Sequence, residues 1–592
     1  MEIQAGNPDL VGNVTNNGYF RVKSPATFAV GGTFSNAGVL NLIGSSQAIP
    51  PGTVNTGFIL TDRLPDTLTW RGSVSAVWDS QTSVNWLNAA TQPAVFFPGD
   101  SVVFDDSTTT TAINLIDAVS PASLVFNAAK NFTLGGGGSL NGSATLDKNG
   151  SGTLSLTGTN GFTGGTTITA GTLVIANAGA LGTGPVTLAG GTWDTGALAP
   201  ANAIAVTADS TITGGSPGGF HGIKAVSGTG TLTLNATNVF DLEGNMAAFA
   251  GTVALTGTGS VCLNGSNGSA AASFNLGTRT LAARNGGTYQ LGALTGQAGS
   301  SLTIVSTTAA ATFSLGGNGS STTFAGVIAN GAGTTHISKT GAGMLTLAGA
   351  NTYTGTTTVS AGTLRVTGAL AATALTVASN ATLDVAGSLA ISSLQLQASS
   401  LTVLAGSPAL EPVKVAGNVT LAGTLQVNLA PGTTFGRFPL ISHGGTLSGT
   451  VALTGVPPGS EGHLAYAAGE VVLLVGDQDE DGLPDTWEQA HFGSLAQSAT
   501  SDYDYDGTSD LAEYRLGLDP NNSASAFRAG CSGHSLVWPS APGIVFTVLR
   551  SVSLDPGSWQ VIGTVTGGAG TTASFTDAAA SGRAFYQIKF DP

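Results

Sequence analysis

The sequence predicts an all-β protein, a right-handed parallel β-helix (solenoid) with smaller modules at its C-terminal end, and three observations carry that expectation. Of 592 residues only 9% are charged, while 87 are glycine and 41% are hydrophobic, so turn formers and apolar side chains are abundant. A disordered polymer would show the opposite balance. Long stretches alternate Thr or Ser with Leu, Val or Ile, the period of a strand with one buried face. Finally, the segment Lys148-Asn149-Gly150-Ser151-Gly152-Thr153-Leu154-Ser155-Leu156-Thr157-Gly158 returns as Lys339-Thr340-Gly341-Ala342-Gly343-Met344-Leu345-Thr346-Leu347-Ala348-Gly349.

The repeat extends further. Asn160-Gly161-Phe162-Thr163-Gly164 corresponds to Asn351-Thr352-Tyr353-Thr354-Gly355, and Ala170-Gly171-Thr172-Leu173 to Ala361-Gly362-Thr363-Leu364; a weaker copy runs from Gly228 to Leu234. Each copy reads as a short strand, a glycine corner and a second short strand such as Thr166 to Thr169 or Thr357 to Val359. Strands this short form no core alone. Stacked as coils of about 22 residues, they bury one apolar row and pair every backbone group with the coils above and below. The pattern K-x-G-x-G-x-L-x-L-x-G-x-N-x-[FY]-x-G…G-T-L resembles the autotransporter-associated β-strand repeat. The preceding stretch, with Trp70, Trp78, Asn85-Trp86, Phe96-Phe97, Gly99-Asp100 and Phe104-Asp105-Asp106, is similar to the lead-in of such repeats. The resemblance spans residues 65–475 and implies a passenger-like scaffold at a cell surface; residues 1–64, with Asn16-Asn17-Gly18 and Ser35-Asn36-Ala37-Gly38, read as more degenerate coils.

Residues 476–524 have a different chemistry. Two twelve-residue loops place acidic side chains at positions 1, 3, 5, 9 and 12 and glycine at position 6: Asp477, Asp479, Asp481, Gly482, Asp485 and Glu488, then Asp502, Asp504, Asp506, Gly507, Asp510 and Glu513. Of 33 acidic residues in the chain, 12 fall between Asp477 and Asp519, with Arg515 as the one strong base among them. A solvated acidic linker is the plain alternative, but alternate carboxylates around a tight glycine turn are how a hard cation collects oxygen ligands. Two Ca²⁺ ions are expected, with the carbonyls of Leu483 and Thr508 completing the shells. Pro484 at position 8 has no N–H for the strand pairing of an EF-hand pair. Each unit is therefore loop then helix, the helices spanning Pro484 to Phe492 and Ser509 to Leu516 with Gly493 and Gly517 as stops. Trp487, Leu511 and Tyr514 supply their apolar contacts. This arrangement resembles bacterial thrombospondin type 3 repeats and, less closely, dockerin modules, which implies either a stiffened stalk or docking onto a cohesin-like partner.

The tail, residues 525–592, alternates apolar strands at Gly543 to Leu549, Trp559 to Val565, Ala573 to Thr576 and Ala584 to Phe590, and looks like a small antiparallel β-sandwich of fibronectin type III-like kind. Trp559 and Tyr586 are expected in its core, a glycan-stacking platform being the sharper alternative. A resemblance to C-terminal modules of secreted bacterial proteins offers a third reading, a sorting tag.

A net charge of −15 argues against nucleic-acid binding and against adhesion to anionic lipid. Cys262 and Cys531 are the only cysteines, too few for a disulfide framework, and the sequence leaves open whether they pair. The start, Met1-Glu2-Ile3-Gln4, has neither the basic nor the apolar region of a secretion signal, and no run of eighteen apolar residues occurs. Since such Ca²⁺ loops need extracellular calcium, a missing leader is expected. Only 117 residues follow Val475, too few for a translocating membrane barrel as well as the loops, so a secreted or surface protein sharing the passenger repeat is expected, not a self-exporting one. For an enzyme of the β-helix type the signals are poor. Asp105 and Asp106 are adjacent and face opposite ways, and no pectinase-like N-T-D, G-H-G or R-I-K segment occurs. The histidines His221, His336, His443, His463, His491 and His534 share no metal spacing. His221 with Lys224 is the nearest constellation, with Asp241 as its one noted carboxylate. The expected function is a non-enzymatic, Ca²⁺-stabilised adhesive, spacer or surface-structural element, with a self-associating or polysaccharide-binding face. A polysaccharide-degrading enzyme and a dockerin-like assembly module are the alternatives.

Overall fold

A computed structural model describes residues 2–4, 6–217, 222–265, 267–305, 308–406, 411–456 and 461–590; His221 lies outside them. The chain divides into two compact units, Met1–Leu401 and Thr402–Pro592.

The first unit is a parallel β-solenoid. Leu124 pairs with Leu146, 22 residues on, and Leu154 with Leu173, 19 on, so one coil is about the length the repeat predicts. The strands at Thr153–Leu156, Thr172–Ile175, Thr363–Val366 and Thr382–Val385 alternate half-buried Thr, Ser, Arg, Asp or, at Val174, Val with buried Leu, Val or Ile, the period-two signature of a strand with one face on the core. Residues 2–60 already form such coils, since Val14–Asn16 runs parallel to Phe34–Asn36 and that strand to Val54–Asn55. An asparagine ladder, Asn16 to Asn36 to Asn55 with 2.7 Å bonds, runs along the stack there.

The lead-in interrupts this order with an antiparallel excursion. Trp86–Leu87 pairs antiparallel with both Thr67–Trp70 and Pro93–Ala94, which brings Trp70 and Trp78 within 4.9 and 5.1 Å of the Trp86 ring. Phe104 stacks on Phe126 of the next coil at 4.2 Å. Asp100, fully buried, is held by both guanidinium nitrogens of Arg63 at 2.7 and 2.5 Å and by the backbone N–H groups of Asp66 and Phe97.

Each motif position of the repeat has a physical task. Leu154 and Leu156, Leu345 and Leu347, and the aromatic pair Phe162 and Tyr353 are buried in the core. Asn160 and Asn351 bridge coils: Asn351 accepts from the Ile328 N–H at 3.0 Å and donates to the Ala369 carbonyl at 3.2 Å, and Asn160 makes the matching bonds to Leu140 and Ala180. The leading lysines are buried, Lys339 completely. Lys339 Nζ donates to the carbonyls of Thr340, Gly341 and Ala361 at 2.7, 2.9 and 3.1 Å. Lys148 does the same for Gly150 and Ala170. Burial lowers Lys339 to about 8, so it is still charged at neutral pH and ties one corner to the next coil. The glycine of Ala-Gly-Thr-Leu must stay bare, because Gly362 has φ +63 and a Cβ there would sit 2.5 Å from the Gly341 carbonyl oxygen.

In the second unit, Val413–Val415, Val419–Leu421 and Thr424–Asn428 pair in parallel with residues 28 positions on. Glu470–Val475 then runs antiparallel to both Gly436–His443 and Gly462–Ala467, and its residues 471–475 are buried on both faces. After the two loops come two three-stranded antiparallel sheets. One joins Gly530–Ser532, Ser535–Pro539 and Thr572–Thr576; the other joins Gln560–Thr566, Val545–Ser551 and Phe585–Lys589. Leu516, Leu536, Trp538, Phe546 and Val548 form the core between them. The strands at Gly530–Ser532 and Ser535–Pro539 escaped the sequence reading. Trp538, not Trp559, is the buried indole as a result; Trp559 is half-buried just before its strand, while Tyr586 packs on the core as expected. Cys262 is buried and Cys531 exposed, both as free thiols.

Replacing Lys339 by Met keeps the bulk and leaves three half-buried carbonyls without the lysine donor, where a wholly buried group left unsatisfied would cost about 1–3 kcal/mol. Denaturant unfolding followed by circular dichroism should show the Lys339→Met solenoid destabilised by about 1–3 kcal/mol. The exposed Lys414→Met should stay within about 0.5 kcal/mol of the parent.

Candidate metal centre

Both acidic loops adopt one structure, although their intervening residues differ. The position-5 and position-6 amides donate to the first aspartate: Asp481 and Gly482 to Asp477 at 3.1 and 3.2 Å, Asp506 and Gly507 to Asp502 at 3.0 and 2.8 Å. The position-7 amide donates to position 5, Leu483 to Asp481 and Thr508 to Asp506, both at 2.8 Å. The position-2 amide donates to position 9, Gln478 to Asp485 and Tyr503 to Asp510 at 2.8 and 3.0 Å. Position 4 is left-handed in each, Glu480 at φ 64 and Tyr505 at φ 62, and so is the glycine at position 6, at 91 and 95. That last conformation is the reason glycine stands there.

Each loop leads directly into a helix, α1 (Asp485–His491) and α2 (Asp510–Leu516). Ser509 caps α2 by accepting from the Ala512 N–H, and Gly517 ends it in a left-handed turn; Pro484 offers α1 no side-chain cap. Among the described residues no strand lies between Val475 and Gly530, consistent with the missing N–H of Pro484. The units are joined by aromatic contacts, Trp487 with Tyr514 at 5.5 Å and Phe492 with Tyr503 at 4.9 Å. A main-chain link is added by the Leu511 N–H, which donates to the Ala499 carbonyl at 3.3 Å.

The sequence-predicted carboxylates converge. Oxygens of Asp477, Asp479 and Asp481 lie within 4.8 Å of one another, as do those of Asp479, Asp485 and Glu488, and those of Asp502, Asp504 and Asp506. Leu483 and Thr508 are buried at position 7. Glu488, Asp510 and Glu513 are wholly buried. Both oxygens of each glutamate, and one each of Asp481, Asp485, Asp504, Asp506 and Asp510, have no hydrogen-bond partner among the described residues. Burial, then the surrounding aspartates, pushes Glu488 and Glu513 up to about 8. Dry carboxylates without donors are costly, and an all-oxygen donor set of this density fits a hard divalent cation.

The other constellation comes apart. Lys224 pairs with Glu243, while Asp241, fully buried, is bound by Arg284 at 2.9 Å. The spacing that drew attention to Asp241 pointed to the wrong carboxylate, because Glu243 shares the outward face with Lys224 one coil away. Asp105 pairs with Arg71, and Asp106 binds the backbone N–H groups of Ala129 and Lys130.

With the geometry established, the class is clear: a parallel β-solenoid repeat protein carrying a loop–helix acidic module. The passenger-associated transport repeat family matches residues 146–175 and 337–366, the two copies whose lysine, asparagine and aromatic positions are described above. The chain is thus a parallel β-solenoid that carries two repeats of the autotransporter passenger-associated kind. No curated protein and no solved structure gives a significant match.

In metal-free protein the folded chain keeps the Glu488 and Glu513 protons up to about pH 8, whereas the unfolded chain releases them near 4.5. Stability from these groups is therefore full below pH 4.5 and lost as pH rises to 8. Denaturation in chelator across that window should show falling stability; a flat or rising profile would contradict these environments.

Proposed function

We propose that this protein is a non-enzymatic extracellular display or spacer element in which a passenger-like solenoid supplies rigidity and two Ca²⁺ ions order the second unit. The passenger repeat, of the kind carried by secreted and cell-surface proteins, supports the setting. The observation that carries the calcium reading is the set of buried, unpartnered carboxylate oxygens repeated in two loops of one geometry. Asp477, Asp479, Asp481, Asp485 and Glu488, with the Leu483 carbonyl, would hold one ion, and Asp502, Asp504, Asp506, Asp510 and Glu513, with that of Thr508, the other. When bound, Ca²⁺ supplies the positive charge these oxygens lack. Through Leu516, which lies in the core of the C-terminal sheets, and the Phe435–Tyr514 ring contact at 6.0 Å, an ordered module would brace both its neighbours within the second unit. The free Ca²⁺ of an extracellular medium suits loops of modest affinity.

Calorimetric titration of the full chain should show two Ca²⁺ ions bound, one in Glu488→Gln or Glu513→Gln, and none in the double variant. A hundredfold excess over Kd should stabilise the second unit by about 2.7 kcal/mol per site. In chelator above about pH 8, where the parent's two glutamates ionise, the glutamine variants should be more stable than the parent, since each removes a buried charge. Absence of bound Ca²⁺ in the parent would leave an acidic linker and overturn the reading.

A further inference from the structure

We propose that this chain pairs with a second copy of itself through the strand Gly462–Ala467, the two copies lying antiparallel across a twofold axis at Leu464. The strand ends its sheet: one side bonds Glu470–Val475, and among the described residues no strand lies on the other. Which of its groups are open follows from the register. The Gly476 N–H donates to the Glu461 carbonyl, so these two residues form a hydrogen-bonded pair at the end of the ladder. Such pairs recur at every second residue of an antiparallel ladder. His463, Ala465 and Ala467 therefore bond inward to Leu474, Val472 and Glu470, while Gly462, Leu464 and Tyr466 turn their N–H and C=O groups outward.

Sheet edges are normally blunted by charge, proline, brevity or a bulge. Among the C-terminal sheets, Gln560–Thr566 is bulged against its neighbour and Phe585–Lys589 ends on a lysine. The strand Gly462–Ala467 has six residues, no Lys, Arg, Asp, Glu or Pro, and no break in its pairing. What fits this edge is its own copy. Antiparallel pairing sets outward residues against outward residues, and an axis at Leu464 engages all three from each chain: Gly462 with Tyr466, Leu464 with Leu464, and Tyr466 with Gly462. Three pairs exchanging two bonds each give about six main-chain bonds, and moving the axis one residue either way leaves two such pairs within the strands. The side chains agree with this register. Tyr466, 40% exposed, meets a glycine that cannot crowd its ring, the arrangement in which an aromatic covers an edge glycine. On the other face His463, paired with Glu480 at 3.4 Å, lies opposite Ala465, so no like charges meet.

Sedimentation equilibrium of the full chain from about 1 µM to 1 mM, the range of a small interface, should show monomer passing to dimer. Leu464→Pro removes one outward N–H and no inward bond. It should weaken association about tenfold or more, with the circular dichroism spectrum unchanged. A second variant reads the register without a proline. In a Cys531→Ser background, Leu464→Cys should cross-link two chains on mild oxidation, because the Cα atoms of a directly opposed hydrogen-bonded pair lie about 5.5 Å apart, within disulfide reach. Ala465→Cys, off the axis, should cross-link at least about tenfold less. A monomer at every concentration, association unaltered by Leu464→Pro, or cross-linking of Ala465→Cys as readily as of Leu464→Cys would overturn the proposal.

Discussion

Main-chain pairing between successive coils is the interaction on which the solenoid depends. Strands of three to five residues, such as Thr166–Ile168 and Thr363–Val366, have no independent stability. They persist because each lies between two others of the same register, so that N–H and C=O groups are satisfied along the stack. The corners between strands cannot join that ladder as strands do, and this is where the repeat spends its polar residues. Lys148, Lys339, Asn160 and Asn351 reach into the corners and bond carbonyls and amides that the ladder misses, often on the adjacent coil. The charge-poor composition follows from the same geometry, since the inward half of every strand is apolar and the outward half is served by Thr and Ser.

The second unit is governed by an opposite constraint. Its two loops concentrate carboxylates, bury the glutamates at position 12, and satisfy the remaining lone pairs with the loop's own amides only in part. Positions 1, 5 and 9, and position 3 in the second loop, take the amide bonds that shape the loops, and the oxygens left over have no donor among the described residues. Because α1 packs on α2 through Trp487 and Tyr514, and α2 on the C-terminal sheets through Leu516, what happens at the loop centres is connected to the packing of the unit.

The parts of this structure that were legible in the sequence are those set by local spacing. The Leu-x-Leu strands, the glycine corners and both loop–helix units are written within a dozen residues each, and the strands, helices and turns fall where those patterns place them. What was not legible depends on neighbours one coil away or more. Lys339 looks like a surface lysine until Ala361 is placed beside it. The partner of Lys224 is Glu243, not Asp241, because coil stacking decides which side chains share a face. Trp538 was overlooked because its strand, Ser535–Pro539, follows a short Gly-Cys-Ser strand with little apolar signal.

The most direct measurement is hydrogen exchange of the full chain with and without Ca²⁺, read at the amides of Asp481, Gly482, Leu483, Asp506, Gly507 and Thr508, which bond the loop carboxylates. Ca²⁺ should slow exchange at all six, and along α2 to Leu516, while leaving the solenoid strands at Leu124, Leu146 and Leu173 unchanged. Equal exchange at the loop amides in the presence and absence of Ca²⁺ would contradict cation-dependent ordering of the second unit.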